Sequence, residues 1–420
     1  MSGSRAHGEP ARGEHIDLPT LTAASMALER LQAQPGALLP SERLPVLRLS
    51  SFLAALAPEL AAAAAAAATA TAAASAAAAA PAGPGGQPAP PPRDEARLRA
   101  ELDKLDSWEE FDAFALSAAS GGRPLEAATL EAVSRLGLFE ALELPLGPLA
   151  AFLRAIEGLY RATNPYHHST HAADVGTYAL LQPDGLAASL TSLEALAAVV
   201  AAVVHDVDHR GLSNDFLVRT QHHLALTYND ASPNEQHSLS LAFRVLMQPG
   251  CNFLQHLPAE DFATFRALVL DIVRATDMVE HSRLSEALTR DVRELGPDLA
   301  SWDAVARGHA LAAVVHAADI SNVTRPWRAA VRWGSLVSAE FQLQGDAELR
   351  LGLTPGPQFD RRHADAPRSQ LAFIRRYGRP TFEALSAVAP AGCAAALRGC
   401  DENEARWAAL EARGEKAFPL

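Results

Sequence analysis

From Arg97 onward, apolar residues recur at helical spacing, and strand-like alternation is hard to find. Such spacing gives each helix one apolar stripe that must pack against a neighbour. Residues 149–160, 193–204, 262–279, 310–318 and 331–343 each read as helices on this basis. No repeat of fixed period is present, which argues against a solenoid. The expected fold class is all-α, a compact multi-helix domain.

This texture begins abruptly near residue 95. Upstream lie residues 61–80, almost pure alanine, and then residues 81–93, rich in Pro and Gly. The alanine run is charge-free and close to membrane-spanning length. Alanine is a weak membrane residue beside Leu, Ile or Phe, and the Pro/Gly stretch cannot continue a helix. The tract therefore reads as a partly helical, low-complexity linker with no integral membrane span. Residues before about 40 read as disordered, with weak helical character around Leu21 to Gln34. The expected organisation is a low-complexity, largely disordered region over residues 1–95 and one large helical domain over residues 96–415. The first sixteen residues are polar and show no apolar signal-peptide core.

The chain carries 36 Lys+Arg against 49 Asp+Glu, a formal net charge of −13. That balance argues against coating nucleic acid, which needs clustered cations. A small anionic substrate stays open, because bound divalent metals reverse the local field. The three cysteines, Cys251, Cys393 and Cys400, show no CxxC spacing. They argue against a disulfide framework or a cysteine zinc site, and they fit a reducing, cytoplasmic compartment.

Three segments cluster His and Asp where the chain reads as helical. Residues 193–204 run into His205-Asp206-Val207-Asp208-His209, and residues 310–315 run into His316-Ala317-Ala318-Asp319. The third is Tyr166-His167-His168-Ser169-Thr170-His171-Ala172-Ala173-Asp174. Burying such groups unpaired costs several kcal/mol, so they must be hydrogen-bonded, paired or bound to metal. His and Asp drawn from separate helices suit a metal centre inside a bundle. Adjacent His205 and Asp206 can both reach one ion, leaving a second carboxylate oxygen to bridge to another. His167 and His171 are four apart, on one face of a helix, so one can bind metal while the other faces the reacting group. Each element alone has an ordinary explanation: a chance dipeptide, a surface histidine pair, a helix-capping aspartate. Their combination in this order is what points to a metal site.

At this point the residues resemble a known family. His205-Asp206-Val207-Asp208-His209-Arg210-Gly211-Leu212-Ser213-Asn214 is similar to the HDxDHxGxxN signature of class I 3′,5′-cyclic nucleotide phosphodiesterases. The stretch from Asn164 to Val175 resembles their YHNxxHAADV segment. Further matches follow in family order: Tyr228-Asn229-Asp230 with Glu235, Thr276-Asp277-Met278 with His281, and His316 through Asn322. The segments from Phe341 to Asp346 and from Ser369 to Ile374 complete the set, which extends from about Trp108 to Phe382.

The resemblance implies an HD-type phosphodiesterase domain that hydrolyses cAMP or cGMP to the 5′-nucleotide and so ends cyclic-nucleotide signals. It implies that His171, His205, Asp206 and Asp319 hold a tighter divalent metal, in this family usually Zn²⁺. Asp206 would bridge to a second ion, Mg²⁺ or Mn²⁺, with a hydroxide between the ions as nucleophile. His167 would be the general acid for the leaving O3′. Tyr166 and His209 would lie at the substrate, with Asn214 and Glu235 supporting the metal waters. Gln370 would hydrogen-bond the purine edge, Phe373 and Val337 would clamp the ring, and Asn322 would lie beside the base. Asn322 resembles adenine-preferring members, although a guanine-preferring branch shares it; the lean is to cAMP, with dual use next. A homodimer is one candidate assembly.

The sequence departs from the family pattern at several positions. His168 stands at a usual Asn, Gln236 and Ser238 at a common Asn and His, and Val323 at a common Pro. Ala330 stands at a pocket aromatic of many members, and Arg210 at a position often Pro or Thr. None removes a proposed ligand or the acid. Two other readings are a broader HD-type metal phosphohydrolase and a non-catalytic nucleotide-binding regulatory protein. The first does not call for Gln370 and Phe373; the second usually lacks a ligand or the acid.

Overall fold

A computed structural model of the chain describes residues 93–178 and 186–419. The alanine tract, the Pro/Gly stretch and the segment around Leu21 to Gln34 lie outside the described residues. Every regular element among the described residues is helical, as the apolar spacing requires. The helices that build the site are α1 (Pro124–Arg135), α2 (Leu146–Leu159), α3 (Ser169–Tyr178), α4 (Ser192–Val204) and α5 (Pro233–Leu246). They are followed by α6 (Ala259–Arg274), α7 (Ala304–Asp319), α8 (Trp327–Arg350), α9 (Ala366–Phe373) and α10 (Pro390–Ala412). Further helices, among them His281–Leu295, and 3₁₀ turns join them.

Helix α4 is the hub. Thr191 and Glu194 start it with a capping box: the Glu194 N–H donates to Thr191 Oγ1 at 3.2 Å, and the Thr191 N–H donates to Glu194 Oε2 at 2.8 Å. From Glu194 to Val204 every residue is buried. A helix apolar all round must be enclosed, and α1, α3, α6 and α7 pack around it. Its alanines and valines are small enough to let those backbones approach.

Helix α7 is tied to α4 at its start, where Arg307 Nε donates to Glu194 Oε1 at 2.8 Å. Eleven residues beyond Glu194 stands His205, and twelve beyond Arg307 stands Asp319. At about 1.5 Å rise per residue, both helices deliver their last residues to the same level. The convergence of His205 and Asp319 thus follows from two helices anchored to each other near their starts.

A second apolar cluster joins Val323, Leu371, Ile374, Cys400, Trp407 and Leu410, seating α9 and α10 against the segment after α7. The buried Arg325 guanidinium pairs with Asp174 and lies 4.7 Å over the Trp108 ring. Helices α4 and α2 match their sequence expectations closely. The helix expected over residues 262–279 ends instead at Arg274. Asp277 accepts from the Val279 N–H at 3.1 Å and starts a separate 3₁₀ turn. No helix among the described residues is long and apolar enough to cross a membrane.

Candidate active site

His205 occupies the cap position at the end of α4. Its Nδ1–H donates to Ala202 O at 2.8 Å, which turns its Nε2 inward toward Asp206. Asp206 lies just past the helix end, so the two neighbours are not both helical as their sequence suggested. The chain turns there because Asp208 adopts a positive φ of 57°. Arg161 Nε at 2.6 Å, Arg210 Nη2 at 3.1 Å and His237 Nε2 at 2.9 Å hold the Asp208 carboxylate. Ser238 Oγ donates to Val207 O at 2.9 Å and pins the same turn.

Four potential ligand atoms converge from three remote segments: His171, His205, Asp206 and Asp319 lie within 4.8 Å of one another. His171 Nε2 lies 3.0 Å from Asp319 Oδ1 and 3.7 Å from Asp206 Oδ2. His205 Nε2 lies 3.0 Å from Asp206 Oδ2 and 3.5 Å from Asp319 Oδ1. His205 Nε2 and Asp206 Oδ2 are buried, yet neither makes a hydrogen bond. Two orphaned atoms 3.0 Å apart, one an imidazole nitrogen and one a carboxylate oxygen, are the donor types that a divalent cation takes. Burial opposes charge on Asp206 and Asp319, but the surrounding histidines outweigh it and hold both carboxyls below their usual range.

His167 precedes α3, which begins at Ser169, so it does not share a helical face with His171. The Tyr166 and His167 N–H groups both donate to Glu340 Oε2, at 2.9 and 3.1 Å, and this holds the segment outside the helix. The His167 Nδ1–H contacts Glu340 Oε1 closely. Burial disfavours the imidazolium, but Asp206 and Glu340 prevail and raise the His167 pKa to about 9. The Glu340 carboxyl falls to about 2: burial resists, and His167 overrides it. Nε2 of His167 is left as the atom able to give up a proton.

The His209 ring lies 4.0 Å from that of His167. Its Nδ1 accepts from the Gly211 N–H at 3.1 Å, which leaves the proton on Nε2. Burial, then the charge of His167, lowers its pKa to about 4, so it stays neutral and donates. Gly211 has φ +69°, and a Cβ there would come within 3.3 Å of Asn164 Oδ1 and 3.4 Å of Glu340 Cγ. Asn164 Nδ2 donates to His209 O at 2.8 Å and to His167 O at 2.9 Å, clamping the two loops together. His168 Nδ1 accepts from the Thr170 N–H at 3.2 Å, at the start of α3.

Asn214 and Glu235 meet beside this centre. Asn214 Nδ2 donates to Glu235 Oε2 at 2.8 Å and to Asp277 Oδ2 at 3.0 Å. Burial, then the Asp277 charge, raises the Glu235 pKa to about 8. Tyr166 is buried with its ring 4.4 Å from His171 and 5.7 Å from Trp333, packing against the His171 ring. Asn322 is buried in the 3₁₀ turn Ser321–Thr324, which Ile320 alone separates from Asp319.

Helices α8 and α9 face each other at Gly334, where an added Cβ would meet Gln370 Cδ and Nε2 at 3.2 Å. Val337 lies three residues beyond Gly334 on α8, and Phe373 three beyond Gln370 on α9, each within one turn of that contact. Gln370 is buried, and its Oε1 has no hydrogen-bond partner. Phe373 is half-buried, with its ring 5.2 Å from Tyr377.

The family model for 3′,5′-cyclic nucleotide phosphodiesterases matches residues 166–398, more than half of the chain. The chain belongs to this family. It is 37% identical over 296 residues to the 3′,5′-cyclic-AMP phosphodiesterase 4C of Rattus norvegicus, covering 69% of this chain and 55% of that protein. It is 35% identical over 291 residues to the dual specificity calcium/calmodulin-dependent 3′,5′-cyclic nucleotide phosphodiesterase 1B of Mus musculus, covering 69% and 53%. The chain thus spans about half the length of the curated relatives it matches. The phosphodiesterase domain of the RhoPDE fusion protein from the choanoflagellate Salpingoeca rosetta superposes with a TM-score of 0.67 at 28% identity, covering 75% of this chain and 98% of that one.

Two contributors to this centre escape a reading of the sequence alone. Glu340 lies far along the chain from the histidine motifs, one residue before the family-like segment that starts at Phe341. Its signal is a row of polar residues on the inner face of α8, Glu340, Gln344 and Glu348, all buried at four-residue spacing. Asn164 opens the family-like stretch that ends at Val175, but its bonding across to His209 depends on a fold that brings the two loops together.

Proposed function

We propose that this domain hydrolyses the 3′ phosphoester of a 3′,5′-cyclic nucleotide, cAMP ahead of cGMP, to give the 5′-nucleotide. The reading is carried by one juxtaposition: a buried His₂Asp₂ cluster, two of whose ligand atoms lack a hydrogen bond, beside a His167 ring that Glu340 holds through Nδ1. His171, His205, Asp206 and Asp319 would hold the tighter ion, Zn²⁺, and Asp206 would share the second, Mg²⁺ or Mn²⁺. When bound, such ions neutralise phosphate charge and activate the attacking water.

The chain's own groups do the remaining work. His167 gives its Nε2 proton to the departing O3′, and Glu340 Oε1 holds the opposite edge of the ring through Nδ1. His209, neutral and protonated at Nε2, donates toward phosphate oxygen. Asn214 and Glu235 orient water around the metals. Gln370 offers amide donor and acceptor to the purine edge, Val337 and Phe373 flank the ring, and Asn322 and Tyr166 complete the wall. The buried free thiols of Cys251, Cys393 and Cys400 fit the cytoplasmic location we propose.

A substrate panel with Zn²⁺ and Mg²⁺ added tests this reading. Cyclic mononucleotides should turn over in strong preference to cyclic dinucleotides and phosphomonoesters. Equal or better turnover of the latter two would favour the broader HD-type phosphohydrolase.

A further inference from the structure

The chain does not simply run off after α10. Helix α10 ends at Ala412, Gly414 turns the backbone with φ +73°, and the Glu415 N–H returns to Leu410 O at 3.1 Å. Lys416 O then accepts the Ala366 N–H at 2.8 Å. Ala366 is the first residue of α9, so the tail satisfies one of the unbonded N–H groups at the start of the helix that carries Gln370.

Two residues later the Phe418 side chain reaches the other half of the base site. A Cβ on Gly334 of α8 would stand 2.9 Å from Phe418 Cε1 and 3.2 Å from Gln370 Cδ and Nε2. The aromatic edge and the amide therefore converge on one point, over a glycine that a helix interior ordinarily disfavours. Ala330, one turn earlier on the same face, is also small and fully enclosed. Trp407 of α10 seats the Phe418 ring edge-on at 5.7 Å. Gln370 Oε1 is buried beside this assembly without a partner, which leaves the amide free to meet a ligand.

We propose that Phe418 is a wall of the base subsite and a positioning residue for the Gln370 amide. The C-terminal tail would thereby set base affinity and the balance between adenine and guanine. Backbone capping of α9 fixes the tail, and the ring limits where the amide can swing. This rests on the reading of Gln370 as the base-binding residue.

Phe418→Ala, Phe418→Leu, Phe418→Tyr and Gln370→Ala, each in the full chain, are compared by initial rates on cAMP and cGMP, with metal content measured. Phe418→Ala should raise the KM for cAMP by about fivefold, with kcat within about twofold and metal content unchanged. Phe418→Tyr should restore KM. Should the alanine variant fold poorly, Phe418→Leu keeps the apolar contact with Trp407 and should still change the cAMP-to-cGMP ratio of kcat/KM by about threefold. Unchanged KM and unchanged base ratio in the Phe418 variants, with KM raised in Gln370→Ala, would overturn the role of Phe418 and leave the base site standing. Unchanged KM in Gln370→Ala for both nucleotides would remove the base-site reading and the Phe418 proposal with it.

Discussion

Glu340 of α8 grips His167 from 173 residues away, taking the His167 Nδ1–H on one oxygen and two backbone N–H groups on the other. This carboxylate orients the ring through Nδ1 and, after Asp206, adds to the pull that keeps it charged. Glu340→Gln should lower the His167 pKa from about 9 toward its ordinary value. An acid catalyst works below its pKa, so the basic limb of the kcat–pH profile should move to lower pH. The rate near pH 8 should fall by about tenfold or more. A pH profile unchanged in the variant would show that Glu340 does not set the proton on His167.

Asp319→Ala should remove one ion and abolish turnover, because it leaves His171 Nε2 and His205 Nε2 without their shared oxygen. Metal content by elemental analysis checks this. A full complement of metal with full activity would contradict the ligand assignment.

Gly211→Ala should cost about 1–2 kcal/mol of stability, from the left-handed backbone alone. Its Cβ would also press on Asn164 and Glu340, so kcat should fall more than stability explains. Denaturant unfolding and kcat on the same preparation separate the two effects.

Away from the site, Glu157 of α2 accepts the N–H groups of Leu125 and Glu126 at the start of α1, at 2.8 and 3.3 Å. Burial lifts its pKa to about 7 from an ordinary 4.5, although those two hydrogen bonds resist. The folded state then holds a proton that the unfolded state has lost between these values. Its contribution is fully present below about pH 4.5 and is lost as pH rises through about 7, with a span on the order of 3 kcal/mol. Glu157→Gln should flatten the stability–pH curve in that window. An unchanged slope, measured as denaturant midpoints from pH 4.5 to 7.5, would contradict it.

Much of this was legible in the sequence, for physical reasons. An apolar run such as α4 announces an enclosed helix, and His205, Asp206 and Asp319 stand out because polar groups at the ends of such runs need a partner. Local conformation was less legible. The residues from Tyr166 to Asp174 look helical by spacing, yet Glu340 draws the N–H groups of Tyr166 and His167 away, and α3 waits until Ser169. The same distant carboxylate was invisible as a functional group, because nothing near it in the chain marks its partner. Phe418 likewise acquires meaning only when the tail turns back at Gly414 onto α9.

The most direct measurement is steady-state hydrolysis of cAMP and cGMP by the purified chain, before and after stripping with chelator and after restoring Zn²⁺ and Mg²⁺. The expected result is conversion to the 5′-nucleotide, faster for cAMP, abolished by chelator and recovered with the two ions. Turnover that persists in metal-free protein, or none at all with both ions restored, would contradict the assignment of His171, His205, Asp206 and Asp319 as the heart of the site.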